Sequence, residues 1–330
     1  EDHPYFEIGG LYASERSEGK TLGDVLSLKG VRFQEETLNT RIEVLEPKAV
    51  ANRCRLAFSG LPAEVAKGTE SALAGEGVAV FSNAASHRMR DDVPLLIPEV
   101  NPDHIELVRT QATFANGGFI TTNANCSTTG LAVPLQAVYK EFGLKACYVS
   151  TYQALSGAGY PGVPSMDILG NVVPFIKNEE EKMEQEIHKM LGTLKDGRVR
   201  FADFDMVASC ARVPVVDGHL ESAVLKLGRE ADAAAVVSSL ESFKPAPQEL
   251  KLPTAPVRPI IVRREDNRPQ PAADALAGEP ERARGMAVSV GRVRESKGYI
   301  KFWLLSHNTL RGGAGGSVLN AELAVAKKLL

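Results

Sequence analysis

Cysteine is scarce in this chain, and the four residues present, Cys54, Cys126, Cys147 and Cys210, lie far apart. No Cys-x-x-Cys and no Cys/His cluster at ligand spacing occurs, which argues against a disulfide framework and a structural metal and for a reducing compartment, the cytoplasm. Charge of one sign is lacking too. A formal net charge of -3 provides no strongly signed field for a nucleic acid or a membrane surface. No run of about 18 apolar residues exists to span a bilayer, and the acidic Glu1-Asp2 start does not read as a signal peptide. No internal repeat is visible.

What is present is enough apolar sequence, 44% of 330 residues, to build two cores. Up to about residue 126, the short apolar runs Phe6–Ala13, Cys54–Phe58, Val78–Phe81, Leu95–Pro98 and Phe119–Thr122 alternate with helical patterns. That alternation predicts an α/β, doubly wound parallel sheet. Longer strands follow: Ala146–Ala154, the stretch Met206–Gly228, and a hairpin-like pair, Met286–Arg294 and Tyr299–Leu305. Long strands with few crossovers predict an α+β second domain with a mixed or antiparallel sheet covered by helices. A Pro-, Arg- and Ala-rich excursion runs from about Phe243 to Gly285, and within it Pro259–Val262 has the composition of a strand. Its arginines (Arg258, Arg263, Arg264, Arg268, Arg282, Arg284) are interleaved with acids, the pattern of a solvated or subunit-contacting surface rather than a nucleic-acid site.

One cysteine has a chemical setting. Gly118–Thr122 reads as a strand, and Leu131, Leu135, Val138 and Phe142 recur at helical spacing after Cys126. Ser127, Thr128 and Thr129 supply helix-start signals, and Pro134 is then expected near the first turn, where a missing N–H is tolerated. Cys126 would sit at the positive end of a helix, where unpaired N–H groups and the macrodipole favour thiolate and can receive a developing oxyanion. A small hydrophobe buried at a strand end is the other reading of an isolated cysteine.

The flanking sequence chooses between them. Besides Asn125-Cys126-Ser127-Thr128, the chain carries in order His3-Pro4-Tyr5-Phe6, Ala13-Ser14-Glu15-Arg16-Ser17-Glu18-Gly19-Lys20, Phe58-Ser59-Gly60-Leu61-Pro62, and Ser82-Asn83-Ala84 followed by His87-Arg88-Met89. Gln153-Ala154-Leu155-Ser156-Gly157-Ala158-Gly159, Arg212-Val213-Pro214-Val215-Val216-Asp217-Gly218-His219 and Asn308-Thr309-Leu310-Arg311-Gly312-Gly313-Ala314-Gly315 complete the set. With these segments the chain resembles, nearly end to end, the aspartate-β-semialdehyde dehydrogenase family, above all its archaeal and fungal branch.

The resemblance implies an NADP-binding domain at 1–127, completed by a returning C-terminal helix at 308–330, and a catalytic and oligomerisation domain at 128–307. It implies an NADP-dependent reductive dephosphorylation of β-aspartyl phosphate to aspartate semialdehyde, in the biosynthesis of lysine, threonine and methionine, by a homodimer or homotetramer. Cys126 would form a thioacyl-enzyme, His219 would serve as acid–base, Gln153 would orient the substrate and Asn125 would help hold the reacting oxygen. Arg212 would clamp the substrate carboxylate. In an unbroken strand Arg212 and His219 point to opposite faces, but Pro214 and Asp217-Gly218 permit a bend that lets both reach one substrate. Arg88 matches the family's phosphate-binding arginine. Glu179 would meet the substrate ammonium and Lys182 a phosphate or carboxylate, both on one face of a helix predicted over Asn178–Leu191.

One element of the family pattern is lacking. No Gly-x-x-Gly-x-x-Gly turn opens the chain, and Phe6–Ala13 corresponds to the family's second strand. About 30 residues, one strand–turn–helix unit, are therefore expected to be missing. The remaining cofactor positions are Ser14, Arg16 and Ser17 after that strand, whose guanidinium and hydroxyls suit a 2′-phosphate. To these the resemblance adds Ser59, Asn83, the loop residues Ser156, Gly157 and Gly159 near the nicotinamide, and Asn308 at its carboxamide. Two rival readings stay open: an acyl-CoA reductase paralogue of the malonyl-CoA reductase kind, which needs no phosphate pocket, and a non-catalytic paralogue.

Overall fold

The computed structural model describes residues 1–26 and 33–330. Its amino-terminal part holds short parallel strands: β1 (Leu11–Ala13) pairs with β2 (Ile42–Val44), while β3 (Leu56–Ser59), β4 (Ala79–Ser82) and β5 (Phe119–Thr122) lie side by side in that order. Side chains alternate across β4 as the pleat requires. Val80 packs with Leu73 and Ala74 of the helix Ala63–Gly75, whereas Ala79 and Phe81 pack with Leu319 and Leu323 of the C-terminal helix Gly315–Ala326. A parallel sheet covered on both faces is the doubly wound arrangement.

The second part begins with the helix Cys126–Phe142, followed by β6 (Leu144–Gln153), a small hairpin of β7 (Thr193–Lys195) and β8 (Arg198–Arg200), β9 (Asp205–Arg212), β10 (His219–Leu227), β11 (Ile260–Arg263), β12 (Val288–Ser296) and β13 (Tyr299–Ser306). Six strands form one mixed sheet in the order β11-β12-β13-β10-β6-β9, with β6/β9 and β11/β12 parallel and the other pairs antiparallel. The helices Cys126–Phe142, Glu179–Met190 and Ala233–Ser242 cover one face, where Leu131, Leu135, Met183, Ile187, Val236 and Leu240 meet Val149, Ala223, Phe302 and Leu304. Truncating Leu135 to alanine there would cost on the order of 2–5 kcal/mol. The other face leaves Tyr148 and Val207 exposed, beside a stacked Tyr152–Trp303 pair. Among the described residues no helix is long and apolar enough to cross a membrane.

Three sequence expectations change. Leu95–Pro98 is no strand; only Leu95 bridges to Thr122, because Pro94 and Pro98 have no N–H to give a ladder. Of Phe6–Ala13, only Leu11–Ala13 pairs, preceded by Gly9-Gly10, which lack side chains to pack. Pro134 lies in the interior of its helix rather than in the first turn, since the helix already begins at Cys126. Gly130, four residues earlier, has no side chain to add to the crowding the proline ring creates.

Candidate active site

The site lies where three strands end under one helix. Gln153 at the end of β6 pairs with Arg212 at the end of β9, and Leu220↔Tyr152 pairing brings His219, the first residue of β10, beside Gln153 on its other side. The chain between β9 and β10 turns through Pro214 and Gly218, so Arg212 and His219 converge. How closely is shown by Gly157: a Cβ added to it would stand 2.9 Å from both Arg212 Nη1 and His219 Cε1.

Over this row sits the start of the Cys126 helix. Asn125 is its N-cap, with Oδ1 accepting from the backbone N–H groups of Ser127 at 2.9 Å and Thr128 at 3.2 Å. Cys126 Sγ lies 3.2 Å from His219 Nε2, and the Ala154 backbone N–H donates to His219 Nδ1 at 3.1 Å. That second bond makes Nδ1 an acceptor, so the neutral imidazole carries its proton on Nε2, facing the sulfur. The backbone of Gly312 closes the far side; a Cβ there would lie 2.7 Å from Cys126 Cα.

The electrostatics differ from the expectation of a ready thiolate. Cys126 as a residue is half-buried, yet desolvation by the atoms packed around its sulfur pushes the thiol up to about 12; Glu179 adds to the rise, and Arg88, the Ser127 N–H and Arg212 pull against it. A helix end is worth at most about 2 kcal/mol, less than the desolvation of a buried anion. Burial, with Arg212 and His307 nearby, takes His219 down to about 3. Thiol and imidazole therefore rest as a neutral pair.

Other expected residues are brought to the same place. Glu179 Oε1 accepts from Asn125 Nδ2 at 2.9 Å and from Gln153 Nε2 at 3.0 Å. Asn125 thus divides its side chain between the helix cap and Glu179, a tighter commitment than the oxygen-holding role expected of it. Arg212 gives Nη1 to the Ala154 carbonyl at 2.6 Å, its one protein acceptor among the described residues. Arg88 is buried; Nη1 donates to Glu186 at 2.8 Å and Nη2 to the Asn83 carbonyl at 2.9 Å, while Nε has no protein partner. Lys182 is half-buried and pairs with no carboxylate among the described residues.

Glu186 and Lys189 were not anticipated. Glu186 Oε2 accepts the Asn125 backbone N–H at 2.6 Å, and Lys189 Nζ donates to the carbonyls of Arg88, Arg90 and Val93 at 2.7, 2.7 and 2.9 Å. The signal was available. Glu179, Met183, Glu186 and Met190 recur at helical spacing, so two carboxylates fall on an apolar, core-facing stripe where unpaired charge is costly.

The cofactor positions fit a dinucleotide in part. Arg16 and Ser17 follow β1, with Arg16 exposed and free of ion pairs among the described residues. Ser59 at the end of β3 is buried with an unpartnered Oγ. Asn83 at the end of β4 is held by Asn123 and Ser317 at 2.8 and 3.1 Å. Asn308 ties the loops together, accepting from the Gly218 N–H at 2.9 Å and donating to Ser156 Oγ at 2.8 Å. Gly157 and Gly159 are exposed backbone, and Gly157 lies beside His219 and Arg212. A glycine-rich pyrophosphate turn is not among the described residues.

A doubly wound sheet joined to a mixed sheet, with a cysteine and a histidine at their junction, defines a class of dehydrogenase, and comparison with known proteins gives the family. Residues 1–108 match the family described as semialdehyde dehydrogenase, NAD binding domain, and residues 135–311 match semialdehyde dehydrogenase, dimerisation domain. The chain belongs to the semialdehyde dehydrogenase family. It is 46% identical over 326 residues to an aspartate-semialdehyde dehydrogenase of Methanothermobacter thermautotrophicus, covering 97% of this chain and 92% of that one. The crystal structure of aspartate semialdehyde dehydrogenase with NADP from Candida albicans superposes with a TM-score of 0.90 at 37% identity, covering 99% of this chain and 94% of the other. A malonyl CoA reductase (NADP) of Metallosphaera sedula is 39% identical, covering 99% and 91%.

Proposed function

We propose that this chain interconverts β-aspartyl phosphate and aspartate semialdehyde with NADP, through a thioacyl-enzyme on Cys126. The observation that carries this reading is the convergence of Cys126, His219, Gln153, Arg212 and Glu179 around one space beside the buried Arg88. One cation, Arg212, and one carboxylate, Glu179, near the same space suit a substrate bearing a carboxylate and an ammonium. Arg212 takes the carboxylate with the N–H groups it does not give to Ala154, and Glu179 meets the ammonium.

In the biosynthetic direction the Cys126 sulfur attacks the acyl carbon: the C–S bond forms, the C–O bond to phosphate breaks, the thiol proton goes to the departing phosphate, and the phosphate leaves toward Arg88 and Lys182. A nicotinamide dinucleotide, when bound, would supply the hydride that reduces the thioester. His219 Nε2–H donates a hydrogen bond to the oxyanion of the resulting hemithioacetal; as this collapses to the aldehyde the C–S bond breaks and the sulfur regains its proton from solvent. In reverse, inorganic phosphate releases the acyl group. Arg16 and Ser17 would hold the 2′-phosphate of NADP, Ser14, Ser59 and Asn83 would line the dinucleotide, and Ser156, Gly157, Gly159 and Asn308 would lie at the nicotinamide.

The domain limits read from the sequence, 1–127 with 308–330 and 128–307, stand as part of this proposal, as does a homodimer or homotetramer built on the exposed sheet face at Tyr148 and Val207. Four free cysteines suit the cytoplasm. The test is an assay of NADPH formation from aspartate semialdehyde with inorganic phosphate or coenzyme A as acyl acceptor. Turnover with phosphate alone supports the reading; turnover with coenzyme A alone replaces it with acyl-CoA reduction.

A further inference from the structure

We propose that Glu186 is a positioning residue of this reaction: one carboxylate that fixes both the guanidinium meant for the phosphate and the backbone turn carrying the nucleophile. The proposal rests on the phosphate role read for Arg88. Glu186 comes from the third turn of the helix Glu179–Met190, and its side chain is 3% exposed. Its two oxygens are divided. Oε1 takes Arg88 Nη1 at 2.8 Å, and Oε2 takes the backbone N–H of Asn125, the residue before Cys126, at 2.6 Å.

A carboxylate is rigid and planar, so these two bonds set the separation of Arg88 from the Asn125–Cys126 turn. Residues 98 and 61 positions away in sequence are thereby referred to one group. Lys189, three residues on, fixes the main chain at Arg88 and just after it through its bonds to the carbonyls of Arg88, Arg90 and Val93. Side chain and backbone of Arg88 are thus held by the same helix, and Arg88 Nε stays unpartnered. Phosphate departure and sulfur attack occur at the same carbon, and a misplacement of about 1 Å costs on the order of a hundredfold in rate. A shared anchor for both groups limits that error.

The carboxylate also balances the charge of Arg88. His219 Nε2 lies 3.2 Å from the Cys126 sulfur, the charges of Glu179, Arg88 and Arg212 act on it, and Arg88 is one of those that draw the thiol toward thiolate. Glu186→Gln removes the balance and turns an N–H2 toward one of two donors. Turnover and thiol reactivity should then move in opposite directions, which simple loss of packing does not produce.

The experiment measures steady-state kinetics, and separately the rate at which iodoacetamide alkylates Cys126 at one mildly alkaline pH, located by peptide mapping, in wild type, Glu186→Gln and Glu186→Asp. In Glu186→Gln, kcat/KM for aspartate semialdehyde should fall by at least about tenfold with the KM for NADP unchanged, while alkylation becomes faster. Glu186→Asp keeps the charge but is one methylene too short to reach both partners, so its turnover should fall while alkylation stays at the wild-type rate. Wild-type kcat/KM in either variant overturns the proposal, as does a joint slowing of turnover and alkylation that follows a lowered melting temperature. If the wild type forms no NADPH with phosphate, the function reading fails on its own. The alkylation comparison, which needs no substrate, then still decides Glu186: faster in Gln and unchanged in Asp supports it, and equal rates in all three overturn it.

Discussion

Cys126 Sγ and His219 Nε2 stand 3.2 Å apart, and the Ala154 N–H on Nδ1 places the imidazole proton on the nitrogen facing the sulfur. In this state His219 is a donor. It is arranged to donate a hydrogen bond to an oxygen growing negative on the acyl carbon, and it is poorly arranged to strip the thiol, which burial holds protonated up to about 12. The opposing pull comes from Arg88, Arg212 and the start of the helix.

The nucleophile follows from this geometry. Cys126→Ser should fold normally and lose at least about a thousandfold in kcat, because an alcohol cannot form the thioester. Cys54→Ser, Cys147→Ser and Cys210→Ser should keep the chemistry. Stopped-flow and steady-state assays decide, and a near-wild-type Cys126→Ser enzyme would remove the thioacyl mechanism.

Acid stability should report the buried histidine. An unfolded imidazole takes its proton near the ordinary 6.5, whereas His219 in the fold does so only near about 3. Between those values the unfolded chain binds the extra proton, so stability is present above pH 6.5 and is lost as the pH falls below it. His87, His104 and His307 are lowered by burial too and act in the same direction. Urea titrations across this range should show a falling free energy, with a shallower fall in His219→Gln. An identical slope in the variant would show that His219 is not held neutral.

The strand-to-helix setting of Cys126 was legible because a strand, hydroxyl start signals and a helical repeat meet within a few residues. The convergence of Arg212 and His219 was legible through Pro214 and Gly218. Electrostatics were not. The helix end could be read locally, whereas the burial that outweighs it comes from β6, β9, β10 and the Gly312 backbone, which reach the sulfur only in the fold. The burial of Glu186 was legible in its helical spacing with Glu179 and Met183, but its partners were not, since they lie in two distant segments. The Leu95–Pro98 run failed as a strand for a reason already in the sequence, the two prolines that bound it.

Carboxylate recognition is tested by Arg212→Lys, which keeps the charge and loses the planar fork. With Nη1 already given to Ala154, lysine cannot hold both partners in place. A fall of about 2–3 kcal/mol in transition-state stabilisation is expected from kcat/KM, the scale of a charged hydrogen bond. Unchanged kinetics would make Arg212 structural.

Cofactor choice is tested at Arg16, exposed after β1. Arg16→Ala should weaken NADP binding and leave NAD binding nearly unaltered, because only NADP presents a 2′-phosphate. Calorimetric titration of both dinucleotides separates the outcomes, and equal losses would contradict the assignment.

Arg88 separates the proposed reaction from its nearest rival. One N–H of Nη1 is engaged by Glu186 and one of Nη2 by the Asn83 carbonyl, and its buried Nε has no protein partner, so donors remain for an oxyanion. Removing the guanidinium leaves a departing or attacking phosphate poorly compensated and Glu186 without its counter-ion, while the dinucleotide keeps its own contacts. Arg88→Ala should therefore raise the KM for phosphate far more than the KM for NADP, and arsenate should show the same loss. If coenzyme A instead supports turnover in the wild type and phosphate does not, Arg88 serves only to hold Glu186 in place, and the acyl acceptor is a thiol rather than an oxyanion.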